Sequence, residues 1–566
     1  MANFPVVIAG GGPIGLALAA YLGREGIQTL LVERSDDKVG SAKMIVVSMR
    51  TMEFCRQLGI APAVRHWGFP LDHGLDSVFV TDLQGYELGR VKTAPLRIAN
   101  DTPYSPERER PCPQTWFDPI LQQFARAQPS VTLRYNTRLS SFVQDESGVD
   151  VELIDDKTGR AETIRAQYLI GCDGFSSTVR ELLGIEIRGV KHLDLSMSVY
   201  ATIPDLHQYH QKGDAYRYVF VGEEGVWCVL TTIDGKDLYR LQLIGANDID
   251  VKTHDLHAVM RRCLGSEVRY TINEVSHWVR KMTVADRFMD GRVFLAGDSA
   301  HAHPPNGGLG MNTGIQDSWD LGWKLAAAIK GWGGRTLLDS YDYERRPAAA
   351  RAAGESLRNY HRLVGHAAYT GIAEATAEGA ALRAKLGTQL VQENEKAWHP
   401  VGVHLGYVYS PSPVVCEDGT PASDDDTVGY RPSARPGARA PHVWLGESKS
   451  TLDLFGSGFT LLRLGKADTA LFEIAARSRS VPLTVCDVDN SGARSLYERD
   501  LVLVRPDGHV AWRGDQAPKE ALAVVDTVRG AGPRIAARRT IDIPAPGQHE
   551  GASSAPSLKG AALKSR

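Results

Sequence analysis

Cysteine is scarce and scattered: seven in 566 residues, at Cys55, Cys112, Cys172, Cys228, Cys263, Cys416 and Cys486. No two form a CxxC pair. This argues against a disulfide framework and a cysteine zinc site, and fits a reducing compartment. Neither sign of charge is in surplus. Lys and Arg total 64 against 67 Asp and Glu, a net charge of −3, so nothing points to nucleic acid. No uninterrupted apolar run reaches the ~20 residues of a membrane span. The nearest approach, "PVVIAGGGPIGLALAAYLG", lacks a basic leader and is interrupted by Gly10, Gly11, Gly12, Pro13 and Gly15. It reads as strand, turn and helix rather than as signal peptide or span. These absences predict a cytoplasmic protein without membrane or nucleic-acid partners. With 43% hydrophobic and 23% charged residues, a chain this long should form two or three globular domains.

Three strand–turn–helix patterns carry the chemistry. The first is "VVIAGGGPIGLALAAYLGREGIQTLLVER". Val6 to Ala9 suits a buried parallel strand, and Gly10, Gly12 and Gly15 fit G-x-G-x-x-G. The first glycine allows the tight turn. The second lets backbone approach a pyrophosphate, and the third lets helix pack on strand. The helix start then offers free N–H groups and a positive dipole end. A second strand ends at Glu33, close to the distance at which an acid meets a ribose. A carboxylate there would repel a 2′-phosphate, so the site suits FAD or NAD better than NADP.

The second pattern, "YLIGCDGFSSTVRELLGI", ends a strand at Asp173-Gly174 and starts a helix that Ser176 or Ser177 could cap. The third is "GRVFLAGDSAHAHPPNGGLGMNTGIQDSWDLGWKLAAAI". Asp298 ends its strand. Pro304 and Pro305 stiffen the loop, and Gly307, Gly308 and Gly310 let backbone approach something flat or charged. His301 and His303 invite a metal reading, but no further His or acid stands at ligand spacing.

In this order, "GGGPIG…ER", "GCDGFSSTVR" and "GRVFLAGDSAHAHPPNGGLGMN" resemble the flavin-dependent aromatic hydroxylases. These are single-component monooxygenases that include the p-hydroxybenzoate and phenol hydroxylases. The resemblance spans about residues 1–400. It implies tightly bound, non-covalent FAD, with NADPH or NADH as a transient co-substrate and O2. Gly10, Gly12, Pro13, Gly15, Glu33 and Arg34 would hold the ADP half. Asp173 and Gly174 resemble a DG motif serving both FAD and NAD(P)H. Asp298 resembles the acid on the ribityl chain, and Pro305 with the Gly310-Met311-Asn312 backbone would line the isoalloxazine ring. Arg50, in "SMRTMEFCRQLGI", matches an arginine that faces the cofactor. Gln114, in "CPQTWFDPIL", matches a glutamine near the ribityl chain.

The implied activity is hydroxylation of a phenolic ring, ortho or para to its hydroxyl, through a flavin C4a-hydroperoxide. A polyketide-tailoring hydroxylase and a Baeyer–Villiger-type oxygenase share the scaffold. A redox-silent FAD- or ligand-binding protein is the reading from another class. The catalytic base is unknown. "SAKMIVVSMR" has no acid where some phenol hydroxylases carry one, and Ile45 sits about where it would be. Tyr216, Tyr218 and Arg240 are the weak candidates.

The expected fold is α/β (α+β). A Rossmann-like FAD-binding domain of the p-hydroxybenzoate hydroxylase type spans 1–185 and 280–400. An antiparallel-sheet substrate domain spans 186–279, with a contribution from 70–110. Within it Tyr200, Tyr216, Tyr218, Trp227, Tyr239 and Trp278 could line an aromatic pocket, although alternation along strands sends about half of them away. Residues 401–543 read as a linker and a thioredoxin-like domain without CxxC, a candidate homodimer contact. The tail from Pro544 reads as disordered.

Overall fold

A computed structural model describes residues 3–40, 43–98, 102–245, 255–364, 369–398, 401–422 and 424–533. The expected disordered tail lies outside these residues. The N-terminal sheet is built on five parallel strands, in the order Val293–Leu295, Ala161–Gly171, Asn3–Ala9, Thr29–Val32 and Val131–Arg134. Their apolar runs are buried because helices cover the sheet. Helices Pro13–Arg24 and Leu309–Ile329 pack against one another over this core. In register, Ala9 pairs with Val32 and with Gly171, and Gly171 with Leu295. Four strands therefore end side by side, and the residues that follow them emerge along one edge. That edge, at the carboxyl ends of parallel strands, is where open α/β sheets bind ligands.

A second sheet has seven strands, in the order Thr271–Val279, Leu195–Thr202, Leu238–Leu243, Gly225–Thr232, Arg217–Gly222, Ser77–Val80 and Glu87–Val91. It is not wholly antiparallel, as the sequence suggested: Arg217–Gly222 runs parallel to Ser77–Val80. The early segment reaches this sheet across intervening strands of the first sheet, and a crossover of that length leaves either direction open. One face packs on the Leu256–Leu264 helix, burying Val199, Tyr218, Leu230 and Leu241 with Met260 and Leu264.

The C-terminal sheet runs Leu483–Asp487, Phe459–Arg463, Leu501–Val504 and Val510–Gly514, with one parallel pair and two antiparallel ones. Helices Ala470–Ser478, Ser491–Tyr497 and Ala521–Val528 complete a thioredoxin-like unit. Its apolar residues Phe459, Phe472 and Val525 join the same core as the N-terminal sheet. No helix among the described residues is long and apolar enough to cross a membrane.

Candidate active site

The glycine turn has the shape its spacing requires. Gly10 adopts φ +112°, and a Cβ there would strike the Cys172 carbonyl on the neighbouring strand. A Cβ at Gly15 would strike the Gly10 carbonyl. Both contacts hold the turn tightly against strand and helix. At Gly12 a Cβ would meet nothing within 4 Å, so the space above the second glycine is open to a ligand. Pro13 occupies the first helical turn, where its missing N–H costs nothing. Glu33 lies beneath the turn: Gly11 N–H donates to Oε2 at 2.7 Å and Ser35 N–H to Oε1 at 2.8 Å. This fixes the carboxylate at the strand end while leaving lone pairs for a ribose. Arg34 beside it is exposed.

Asp298 gives the test of fit to a flavin. Its side chain is exposed by accessible area. Yet desolvation raises its carboxyl above the ordinary range, with His301 and Lys43 partly offsetting the rise. Such a carboxylate, with room before it, suits a polyhydroxyl chain. Pro305 is also exposed, and Gly310 and Met311 are half-buried. The Leu309–Ile329 helix begins here, so its first free N–H groups point toward the same space. The residues present therefore fit FAD.

Asn312 does more than its backbone suggested. Its buried side chain accepts from Ser48 N–H and Thr51 Oγ1, both at 2.8 Å, and donates to Val46 O at 3.1 Å and Gly308 O at 2.7 Å. It thus holds the Val46–Ser48 segment against the start of the helix. Asp173 also works locally. Its carboxylate accepts from the Ser177 hydroxyl and the Val179 N–H, while Ser177 caps the next helix through Arg180 N–H. Arg180 in turn donates to Ser299 O at 3.0 Å, tying this turn to the Asp298 turn. Gly174 has φ +79° and open space where a Cβ would be.

Gln114 starts the Gln114–Arg126 helix and donates to Asp118 Oδ2 at 2.9 Å. Burial pushes Asp118 up to about 7, against the Gln114 hydrogen bond and Lys43. Its Oδ1 is buried without a partner. Lys43 lies close enough to both Asp118 and Asp298 to lower each. The Gln114 helix start is tied to that same segment, Gln114 N–H donating to Met44 O at 2.9 Å.

Two expectations need correction. Arg50 does not present its guanidinium to the flavin cleft. It is 2% exposed, donates to Glu53 at 2.8 Å and to Asp507 O at 2.5 Å, and stacks 4.2 Å from the Trp319 ring centroid. Its charge is spent in the junction with the C-terminal unit. Tyr218 points to the helix-covered face of its sheet, bonded to Gly213 O. Trp227 and Tyr239 pack there too, so these three aromatics do not line the cleft. Tyr216 does border it, donating to Ile45 O at 3.2 Å. Desolvation raises its hydroxyl above its ordinary value despite Arg217 and Arg240, which makes it a poor base. Arg240 reaches Lys43 O at 3.4 Å.

His301 is paired with a carboxylate: its Nε2 lies 2.7 Å from Asp317 Oδ2. Among the described residues no group of three or more His, Cys, Asp or Glu could hold a metal. Sequence reasoning missed Asp317. Desolvation pushes this carboxyl up, but His301 and Arg345 outweigh it and hold it below the usual range. It accepts from Gly297 N–H at 3.1 Å and Arg345 Nε at 2.8 Å, bracing the Asp298 turn from below. It lies within a helix otherwise read as packing, and no local pattern marks it.

Comparison with known proteins agrees with this geometry. A family model described as an FAD binding domain matches residues 3–356, and one described as the C-terminal part of aromatic-ring hydroxylases matches 433–531. The chain is 33% identical to a tetracenomycin B2 monooxygenase-dioxygenase of Streptomyces olivaceus, over 93% of this chain and 98% of that one. It is 32% identical to a 2,4-dichlorophenol 6-monooxygenase of Delftia acidovorans, over 90% and 94%. Among solved structures, the rebeccamycin biosynthetic enzyme RebC with reduced flavin superposes with a TM-score of 0.88 at 38% identity, over 94% of this chain and 99% of that one.

Proposed function

Because the chain belongs to the FAD-dependent aromatic-ring hydroxylases, we propose that this monooxygenase hydroxylates a phenolic ring held between the seven-stranded sheet and the Asp298 edge. The observation that carries the reading is the register of Ala9, Val32, Gly171 and Leu295. It brings Gly10–Gly12, Glu33, Asp173 and Asp298 to one edge from four distant parts of the chain. The relatives' names include a chlorinated phenol, 2,4-dichlorophenol, which is a phenolic ring within this proposal.

Bound FAD would take electrons from NAD(P)H and activate O2. The chain's own residues do the rest. Glu33 would orient the ribose and the open Gly12 turn would admit the pyrophosphate. Asp298 would accept from the ribityl hydroxyls. The start of the Leu309–Ile329 helix favours negative charge on the ring edge nearest it. The sheet roofs the cleft and excludes water, which protects reactive oxygen from unproductive decay. Tyr216 braces the Ile45 backbone at the mouth and moves no proton.

The test is NAD(P)H oxidation by purified, FAD-loaded protein, with hydrogen peroxide measured in parallel. Ligands would run from simple phenols and resorcinols to fused-ring phenols. Strong stimulation with little peroxide and a hydroxylated product is expected for one ligand class. Stimulation that yields only peroxide, or an inserted ring oxygen in the Baeyer–Villiger sense, would overturn the assignment.

A further inference from the structure

Apart from the flavin edge, three distant segments close round a cavity of about 420 Å³. Pro103 comes from the N-terminal part of the chain. His442, Val443 and Trp444 come from the approach to the C-terminal sheet, and Leu496 from the Ser491–Tyr497 helix. None of these residues belongs to the strand ends and turns that meet at Asp298. The walls are mostly apolar, and Trp444 keeps 39% of its surface exposed. Small-molecule sites take this form: a concavity of ~300–1,000 Å³ with apolar and aromatic walls and few polar groups.

The walls are held from behind. Trp444 pairs with Ser450 in an antiparallel bridge, and its carbonyl accepts from Asn490 Nδ2 at 3.2 Å. Tyr497, next to Leu496, donates to Pro441 O at 2.7 Å. Arg439 donates to the Tyr104 carbonyl at 3.0 Å and so fixes the loop that carries Pro103. A ligand would meet a formed surface, and little ordering entropy would oppose its binding.

His442 supplies the polar group. It is 4% exposed, and its Nδ1 lies 2.7 Å from Ser450 Oγ. Ser450 is fully buried, and its Oγ already accepts from Leu452 N–H at 3.0 Å. Nδ1 is then the acceptor in reach of the buried hydroxyl proton, which leaves the ring proton on Nε2. Burial first, then Arg439 and Arg56, push the imidazole down to about 4 against Glu53 and Asp453. The ring is therefore neutral at pH ~7. Nε2 has no partner among the described residues, and it is not shut off from the cavity. It is a free donor in an apolar wall, 4.7 Å between ring centroids from Trp444. The walls carry no charged side chain, so an ion would lose hydration there without return.

We propose that this cavity is a second ligand site, taking a neutral planar aromatic compound whose ring packs on Trp444 and whose acceptor atom bonds to His442 Nε2–H. The site is separate from the flavin cleft, and it stands whether or not the substrate is a phenol.

The experiment is equilibrium dialysis of FAD-loaded protein, in mildly alkaline buffer, against isoquinoline and against naphthalene, which has the same shape without the acceptor. One isoquinoline per chain should bind without changing the flavin absorbance, about five-fold or more tighter than naphthalene. Trp444→Ala alters an exposed ring, so it should keep stoichiometric FAD while this binding weakens about ten-fold or more. His442→Phe should bring the two probes within about two-fold of each other, its flavin content reporting whether it has folded. The wild-type comparison of probes requires no variant. Isoquinoline that binds only with a change in the flavin spectrum would place the ring in the cleft and overturn the proposal. Equal affinity for the two probes in the wild type, binding unchanged in Trp444→Ala, or no binding would each overturn it too, and none of these results touches the hydroxylase assignment.

Discussion

Asp298 lies in the turn that follows the Val293–Leu295 strand with its side chain exposed, so its carboxylate is available to a sugar alcohol rather than to a protein donor. Asp298→Ala should purify with far less than one FAD per chain, measured from the flavin and protein absorbance. Stoichiometric flavin in that variant would refute the assignment. Asp118 offers a test by pH. Its pKa of about 7 lies well above the ordinary carboxylate value, so the fold favours its protonated form. Stability from this group is full below pH ~4 and is lost as the pH rises through about 7. Asp118→Asn keeps an oxygen for Gln114 and should stabilise the protein by roughly 2 kcal/mol more at pH 8 than at pH 5. A thermal-shift gain equal at both pH values would refute this. Glu33 and Asp298 were legible because a short apolar run followed by an acid marks a strand end. Arg50 was misjudged because the side of a helix that an arginine takes depends on what packs there, and its partner Asp507 lies 457 residues away. Tyr218 was misjudged because alternation along a strand is visible without showing which phase faces the cleft.

At the scale of elements, the site depends on how the Leu309–Ile329 helix begins. Asn312 makes four hydrogen bonds there, three of them to the 46–51 segment. Asn312→Ala strands these buried groups and should cost about 2–4 kcal/mol, read from the shift in a denaturant midpoint. Unchanged stability would mean that the segment is held by other contacts. The helix itself was readable from its glycine-rich start and apolar length. The clamp was not, because an asparagine near a helix start reads as an ordinary capping residue. The same limit applies to the second sheet. Its strands were visible as β-branched and aromatic runs. The parallel pairing with Ser77–Val80 depends on contacts some 140 residues apart in the chain.

The whole molecule is locked by charge as well as by its core. Arg505, in the C-terminal unit, donates to Glu344 at 2.6 Å and Asp320 at 2.8 Å, and Lys324 donates to the same two acids. All four are essentially excluded from solvent. Arg505→Met removes a cation from Asp320, Glu344 and Asp507, leaves Lys324 to pair with the first two, and should destabilise the protein by about 3–5 kcal/mol. Because Phe459 and Val525 share the FAD-side core, calorimetry should show one transition shifted down. A separate early transition for the C-terminal unit would contradict this coupling. Cysteine spacing showed that the C-terminal unit has no CxxC pair, Cys486 standing alone. It could not show that this unit's arginine neutralises acids on the flavin-side helices.

That lock has a consequence for biosynthesis. The helix Leu309–Ile329 and both acids of the lock are complete once Glu344 has been made, but Arg505 follows 161 residues later. At ordinary translation rates of about 5–20 residues per second, this is a delay of roughly 10–30 s. Through that interval the nascent chain carries Asp320 and Glu344 with only Lys324 to balance them. The ribosome therefore releases a cofactor site whose supporting helices reach their final electrostatic balance only as the last domain emerges.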